Sequence, residues 1–197
     1  MPKIVDHDRR RIELVDATWR IIASRGIDGA TMRDIAAEAG FANGALKPYF
    51  PTKERLLDFA FEHIFQRTNE RMEASVHGRS GLAAVRAYCH EILPLDEERL
   101  QEARVAIAFW QKALNDPAKT AAHDSAMEQW RTGLAALLDG AGMSGEQEIQ
   151  VAVGTLMSHV LGTQITAVFS PTHHSPAQLV EQLDLLLEAL VKEGRPC

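Results

Sequence analysis

Residues 17–57 read ATWRIIASRGIDGATMRDIAAEAGFANGALKPYFPTKERLL, and this stretch decides the fold. Leading into it, Ile12, Val15, Trp19 and Ile22 recur at intervals of three and four, the apolar stripe of an amphipathic helix from Asp8 to Arg25. Gly26 follows as a C-cap. Thr31 is a good N-cap for a short helix over Met32–Ala39, with an acidic residue three positions on, and Gly40 ends it. A turn centred on Gly40-Phe41-Ala42 leads to a second short segment, and Thr52 with Lys53-Glu54 opens a long helix. Such a helix-turn-helix is a common packing unit that also serves DNA binding. Pro48 falls in its second segment, where it lacks a donor and frees the Gly44 carbonyl. That segment is therefore expected to be short and distorted at its end, with its first turn still presented.

Outward from this stretch the apolar spacing stays helical. The helix from Lys53 carries Leu57, Ala60, Phe61, Ile64, Phe65, Thr68 and Met72 on one broad face and fades by His77-Gly78. Ser80 caps a helix from Gly81 to about Ile92. Glu97–Leu114 turns Leu100, Ala103, Ile107, Trp110 and Leu114 inward, and Ala118–Leu138 does the same with Ala122, Met127, Trp130, Leu134 and Leu137. Two more helices run over about Glu146–Phe169 and Pro176–Lys192. No alternating β-branched run competes, so the chain is expected to be all-α with about nine helices. Ile35, Ala36, Ala39, Leu46 and Phe50 are assigned to the core of the N-terminal segment.

Charge divides the chain at about residue 55. Residues 1–55 hold ten Lys/Arg and eight Asp/Glu, net +2, and residues 56–197 hold eleven and nineteen, net −8, which sum to the −6 of the whole. A small positive module on an acidic body fits local contact with nucleic acid better than the overall charge does. Two cysteines, Cys89 and Cys197, make no metal or CxxC spacing, which favours a reducing compartment such as the cytoplasm. The basic N-terminus has no apolar run behind it and is not read as a secretory signal. Ile149–Val180 lacks charged residues, but Gly154, Ser158, His159, Gly162, Gln164 and Pro171 interrupt it and argue against a bilayer span. No HExxH, GxSxG or glycine-rich phosphate loop is present, and His173-His174 lie in a loop between Ser-Pro pairs, so catalysis, a cofactor and a metal are not expected.

Taken together, ATWRIIASRGIDG, GATMRDIAAEAGFANGAL and YFPTKERLL closely resemble the N-terminal DNA-binding domain of the TetR/AcrR family of bacterial transcription regulators. EARVAIAFWQKALNDP, Glu102–Pro117, looks like the ligand-domain signature of the family's BetI-like branch. The resemblance implies a two-fold dimer, a three-helix head over residues 1–52 that binds a double-stranded operator, a larger helical ligand-binding and dimerisation body over residues 53–197, and repression relieved by a small molecule. Ala42, Asn43, Gly44 and Ala45 then form the first turn presented to base edges. Asn43 alone among them offers a paired donor and acceptor, though a capping role fits it equally; Ala42 or Ala45 suits a thymine methyl, and Gly44 a close backbone approach. Thr31 at a helix N-terminus attracts an anion, Met32 and Arg33 flank it, and Arg33 faces either phosphate or solvent. The resemblance places Tyr49 and Lys53 at phosphate-contacting positions. Lys47 and Pro48 depart from it, standing where the family most often has Tyr and an amide-bearing residue; Lys47 is thus expected at phosphate.

In the body, Phe61, Phe65, Cys89, Phe109, Trp110, Met127, Trp130, His159 and Gln164 are candidate lining of an effector pocket, and each is also a plausible packed core residue. The aromatic residues suit a quaternary ammonium by cation–π attraction, an idea resting on the BetI-like resemblance. The last two helices are apolar on both sides: Leu179, Leu183, Leu186 and Leu190 run beside Val180, Leu187 and Val191, while Gly154, Ser158 and Gly162 form a small-residue stripe opposite Val153, Met157, Val160 and Leu161. One face for the core and one for a second copy is expected, through helices around 146–169 and 176–192; a fully buried helix in a monomer is the alternative. The helix from Lys53 is the expected lever between pocket and head. A helical ligand-binding protein with lost or altered DNA binding is the remaining alternative.

Overall fold

The computed structural model describes residues 7–42 and 44–193. Among them the chain forms eight α-helices: α1 (His7–Gly29), α2 (Met32–Glu38), α3 (Lys53–Val76), α4 (Gly81–Ile92), α5 (Glu97–Ala113), α6 (Pro117–Gly140), α7 (Glu146–Phe169) and α8 (Pro176–Glu193), with a 3₁₀ turn at Pro171–His173. The starts follow local chemistry. Thr31, Thr52, Asp96 and Asp116 each accept a hydrogen bond from the first turn they cap, satisfying donors that a helix leaves open. Gly26, with φ 71 and ψ 172, breaks α1 at the position expected of a C-cap, but helical structure resumes on its far side.

The expected ninth helix is absent among the described residues. Residues 44–49 form a succession of turns, with Ala45 N–H bonded to Ala42 O at 3.0 Å, Lys47 to Gly44 O at 3.4 Å and Tyr49 to Leu46 O at 2.9 Å. Pro48 supplies no N–H for the Gly44 carbonyl, so α-type bonds cannot follow one another through the segment. Gly44 itself sits at φ +87, outside the helical region and easy only for glycine. The distortion thus reaches the segment's start as well as its end.

Two apolar cores organise the helices. The head core joins Leu14, Val15, Trp19 and Ile22 of α1 to Ile35 and Ala36 of α2, Leu46 and Phe50 of the turn segment, and Leu56, Ala60 and Ile64 of α3. Val105 and Ala108 of α5 belong to the same cluster. The body core gathers Met72, Val85, Cys89, Met127, Trp130, Leu134, Leu156, Val160, Leu183 and Leu187 from α3, α4, α6, α7 and α8. Gly133 lets α4 approach α6, since a Cβ there would stand 2.9 Å from the Tyr88 hydroxyl.

Helices packed on two sides depart from the single stripes expected of them. In α5 six of the seven buried residues fall in adjacent pairs, Glu102-Ala103, Val105-Ala106 and Ala108-Phe109, with Ala113 beyond them, while Leu114 at the helix end is 83% exposed. One side of α5 meets α1 of the head and the others meet α3, α6 and α7 of the body. In α1, pressed between α2, α3 and α5, Ile12 is exposed while Leu14, Ala17 and Ile21 are buried. In α6, Ala126 and Leu138 are buried, whereas Ala122 is exposed. α7 is long and apolar enough to cross a bilayer by length and composition, yet it buries Ala152, Leu156, Val160, Thr163 and Ala167 within the body.

Candidate functional site

The head site is built at one end of the molecule from α2, the turn segment and the start of α3. Thr31 Oγ1 accepts from Asp34 N–H at 3.1 Å and donates to the Asp34 carboxylate. That bond holds the Asp34 carboxyl below its ordinary range. The N-terminus of α2 therefore already faces a carboxylate of its own, and a phosphate approaching Thr31 meets that charge. Met32 is half-buried against the head core, and Arg33 is exposed. Ala42, Gly44 and Lys47 are exposed and Ala45 is half-buried; Asn43 lies outside the described residues. Tyr49 packs edge-on against Phe41 at 5.9 Å, and the Arg10 guanidinium lies over the Phe41 ring at 5.3 Å. Lys53 is half-buried at the first position of α3, next to the Thr52 cap.

Arginines of α1 were not singled out from the sequence. Arg11 lies over Phe50 at 5.2 Å and Phe59 at 4.7 Å, joining α1 to the turn segment and α3. The run Arg9-Arg10-Arg11 was visible, but its aromatic partners lie thirty and more positions away and no local spacing connects them. Replacing Pro48 by glutamine is expected to restore a donor to the Gly44 carbonyl and raise affinity for operator DNA severalfold, about 1 kcal/mol. A mobility-shift titration checks this; unchanged or lower affinity would contradict it.

The second site lies in the body. A small, partly open void of about 30 Å³ is bounded by Phe61, Ile64, Phe65 and Thr68 of α3, Glu91 and Ile92 of α4, Arg99, Glu102, Ala106 and Trp110 of α5, Met127 and Trp130 of α6, and Gln164 of α7. An open cleft of about 550 Å³ between α3, α5 and α6 shares Phe61 and Phe65 as its wall. Six of the nine candidate pocket residues thus meet at the void: Phe61, Phe65, Trp110, Met127, Trp130 and Gln164. Phe109 lines the cleft and stacks on Phe61 at 3.8 Å. Cys89 is fully buried in the body core, and His159 is half-buried on α7; neither borders the void or the cleft.

Burial pushes the Cys89 thiol up to about 12, which leaves almost no thiolate near neutral pH. In a Cys197→Ser variant, thiol reagents are expected to modify the folded protein only at the rate at which it unfolds. Fast, stoichiometric labelling under native conditions would contradict this.

A charge network that the apolar pattern concealed borders the void. Arg71 donates to Glu102 at 2.7 and 3.0 Å and to Glu91 at 3.2 Å, and Arg99 donates to Glu91 at 2.9 Å and to Asp96 at 2.9 Å. Glu102 is 5% exposed; burial raises its carboxyl against the lowering by Arg71. The arginine is held above its ordinary value by the same carboxylates despite its own desolvation. The available signal was Glu102 sharing a helical stripe with Ala106 and Phe109.

A helical head with a turn segment after α2 is joined through α3 and α5 to a helical body that contains a small void. Residues 14–59 match the family described as bacterial regulatory proteins, tetR family, and residues 82–192 match the BetI-type transcriptional repressor C-terminal region. Among curated relatives, the HTH-type transcriptional regulator PksA of Bacillus subtilis (strain 168) is 32% identical over 87% of this chain and 84% of its own length. The regulator BetI of Burkholderia cenocepacia is 29% identical over 74% of this chain and 86% of its own. A transcriptional regulator from Rhodococcus sp. Rha1 superposes with a TM-score of 0.83 at 29% identity, covering 93% of this chain and 96% of that one. A regulator from Saccharomonospora viridis, solved in complex with choline, also scores 0.83, at 20% identity over 92% and 96% of the two chains. The chain belongs to the TetR family of bacterial transcription regulators, with a BetI-type C-terminal region; it regulates transcription and is not an enzyme.

Proposed function

We propose that the protein is a homodimeric, cytoplasmic repressor that leaves a palindromic operator when a small molecule occupies the body cavity. The observation that carries this is the double role of two helices. α3 contributes Leu56, Ala60 and Ile64 to the head core and Phe61, Phe65 and Thr68 to the cavity wall. α5 contributes Val105 and Ala108 to the head core and Glu102, Ala106 and Trp110 to the wall. An effector that binds better to a conformation with the walls apart must then shift both helices against the head, and linkage requires that it weaken DNA binding. The working division falls near residue 52, with α3 belonging to both parts.

Dimer formation is supported by the uncovered face of α7. Val151 is 61%, Ile165 41% and Phe169 74% exposed, and Leu185 of α8 is 62% exposed. Gly154 and Gly162 continue that face with nothing within 4 Å of where a Cβ would stand, room for a second helix to approach closely. Two heads on a rigid two-fold dimer address major grooves about 34–36 Å apart or a multiple of it.

Within the head, Ala42, Asn43, Gly44 and Ala45 are assigned to base edges, and Lys47, Tyr49 and Lys53 to the phosphate backbone, joined by Thr31 once its hydroxyl leaves the Asp34 carboxylate; Met32 and Arg33 flank it, Met32 against the head core and Arg33 toward phosphate or solvent. The test is a mobility shift on the gene's own upstream region at low and raised salt. Asn43→Ala is expected to relax sequence preference, and Lys53→Ala to weaken binding to all sequences and reduce its salt slope by about one. Identical behaviour of the two variants would contradict the division, and no specific retardation by the wild type would sink the repressor reading. The second reading, a ligand-binding protein of this fold with altered DNA binding, draws support from the non-helical Gly44–Tyr49 segment.

A further inference from the structure

Two adjacent arginines of α1 lie against the rings that begin and end the segment after α2. The Arg10 guanidinium is over the Phe41 ring at 5.3 Å, and Tyr49 meets the same ring edge-on at 5.9 Å. Arg11 is over Phe50 at 5.2 Å and over Phe59 of α3 at 4.7 Å, while those two rings are 5.3 Å apart, so one guanidinium covers a ring pair. Arg10 also pairs with Glu13 at 2.6 Å. Arg11 makes no ion pair among the described residues, and its Nε is buried and unpaired. A guanidinium partly stripped of water and left without a carboxylate takes its compensation from ring faces, the setting in which cation–π attraction is strongest.

The segment between these rings needs support from outside itself. Its backbone bonds from Ala45 to Tyr49 are of the turn type, and Phe50 N–H reaches back four residues, to Leu46 O at 2.8 Å. Pro48 withholds the N–H that would carry helical bonding through the segment. Leu46 and Phe50 are fully buried in the head core. Two anchored side chains leave rotation about the line joining them unset, and a third point at Phe41 fixes it. Phe41 is only partly buried, and its ring is held by Arg10 and Tyr49.

We infer that Arg10 and Arg11 are positioning residues for operator recognition: they clamp the two ends of residues 41–50 and set the posture of the exposed first turn in place of the helical bonds that Pro48 withholds. This deepens, and rests on, the assignment of Ala42 to Ala45 to base edges.

Mobility shifts of the full-length protein on the gene's own upstream region and on a random duplex of equal length, together with amide exchange of the free protein, test the clamp. Arg11→Met is expected to weaken operator binding about tenfold, and Arg10→Met about threefold, while each changes binding to the random duplex by less than about twofold. In the free protein Arg11→Met should speed exchange at Ala45, Lys47 and Tyr49 about tenfold. Arg11→Lys keeps the charge and the stem but cannot lie flat across two rings, so it should lose about threefold, and it answers if Arg11→Met does not fold. In a Pro48→Gln background, where the Gly44 carbonyl regains a donor, Arg11→Met should cost no more than about twofold. Equal losses on both duplexes with a salt slope reduced by about one would make Arg11 a phosphate contact and overturn the clamp. Wild-type affinity and exchange in Arg11→Met, or an undiminished loss beside Pro48→Gln, would overturn it too. If the wild type itself showed no specific retardation, the repressor reading would fall and the exchange rates would decide the clamp alone.

Discussion

Replacing both Ile165 and Phe169 by glutamate is expected to yield a folded monomer whose operator affinity is about 10² to 10⁴-fold weaker than the wild type's. Both side chains lie on the exposed face of α7, 41% and 74% open to solvent, so the substitution removes little from the body core. In a dimer the same positions face a second copy, and four carboxylates brought into an apolar interface cannot stay charged without partners. Loss of the second head removes the effective concentration that joins two half-site contacts, which is worth that range of affinity. Sedimentation and a mobility shift read the two effects separately. A variant that remains dimeric with full affinity would place the interface elsewhere.

Removing one member of the buried charge network is expected to have the largest effect on stability. Arg71→Met leaves Glu102, 5% exposed, without the guanidinium that holds it through two hydrogen bonds. Breaking a buried pair in this way costs about 3–5 kcal/mol, while replacing both partners with apolar groups of similar volume is often close to neutral. Arg71→Met/Glu102→Met is therefore expected to recover most of the loss. Glu91 keeps its second partner, Arg99, in both variants. Thermal and denaturant unfolding measure the difference; a single variant within about 1 kcal/mol of wild type, or a double variant less stable than the single, would contradict the account.

The legible parts of this fold are those governed by neighbours in sequence. Thr31 and Thr52 locate helix starts because capping is decided within one turn, whereas Ser80 precedes α4 without a side-chain cap bond and the caps Asp96 and Asp116 were not singled out. The buried face of α3 was legible because most of its positions share one side, from Leu57 to Met72. α5 was misread because two cores claim it: a helix buried on several sides has no single stripe, and the pairs from Glu102 to Phe109 follow from contacts with α1 and α7 that lie far off in sequence. Ile12 fails for the same reason in α1.

At the sites, the identity of the groups was easier to read than their pairing. Pro48 announced a disturbed segment, since its missing N–H is a property of the residue itself. The commitment of the Thr31 hydroxyl to Asp34 and the edge-on packing of Tyr49 against Phe41 depend on rotamers that spacing does not determine. Six pocket candidates converged because aromatic residues on three helices must fill one interior. Cys89 did not, because burial alone does not separate a wall from a core.

The central claim is that two heads, carried by one dimer, read a two-fold site and are moved by the body cavity. A footprint of the wild-type protein across its own upstream region tests it most directly. The account predicts protection of two inverted half-sites spaced by one helical turn or a multiple, about 34–36 Å each, lost together when an effector fills the cavity. Protection of a single isolated half-site, or a footprint indifferent to saturating effector, would contradict it.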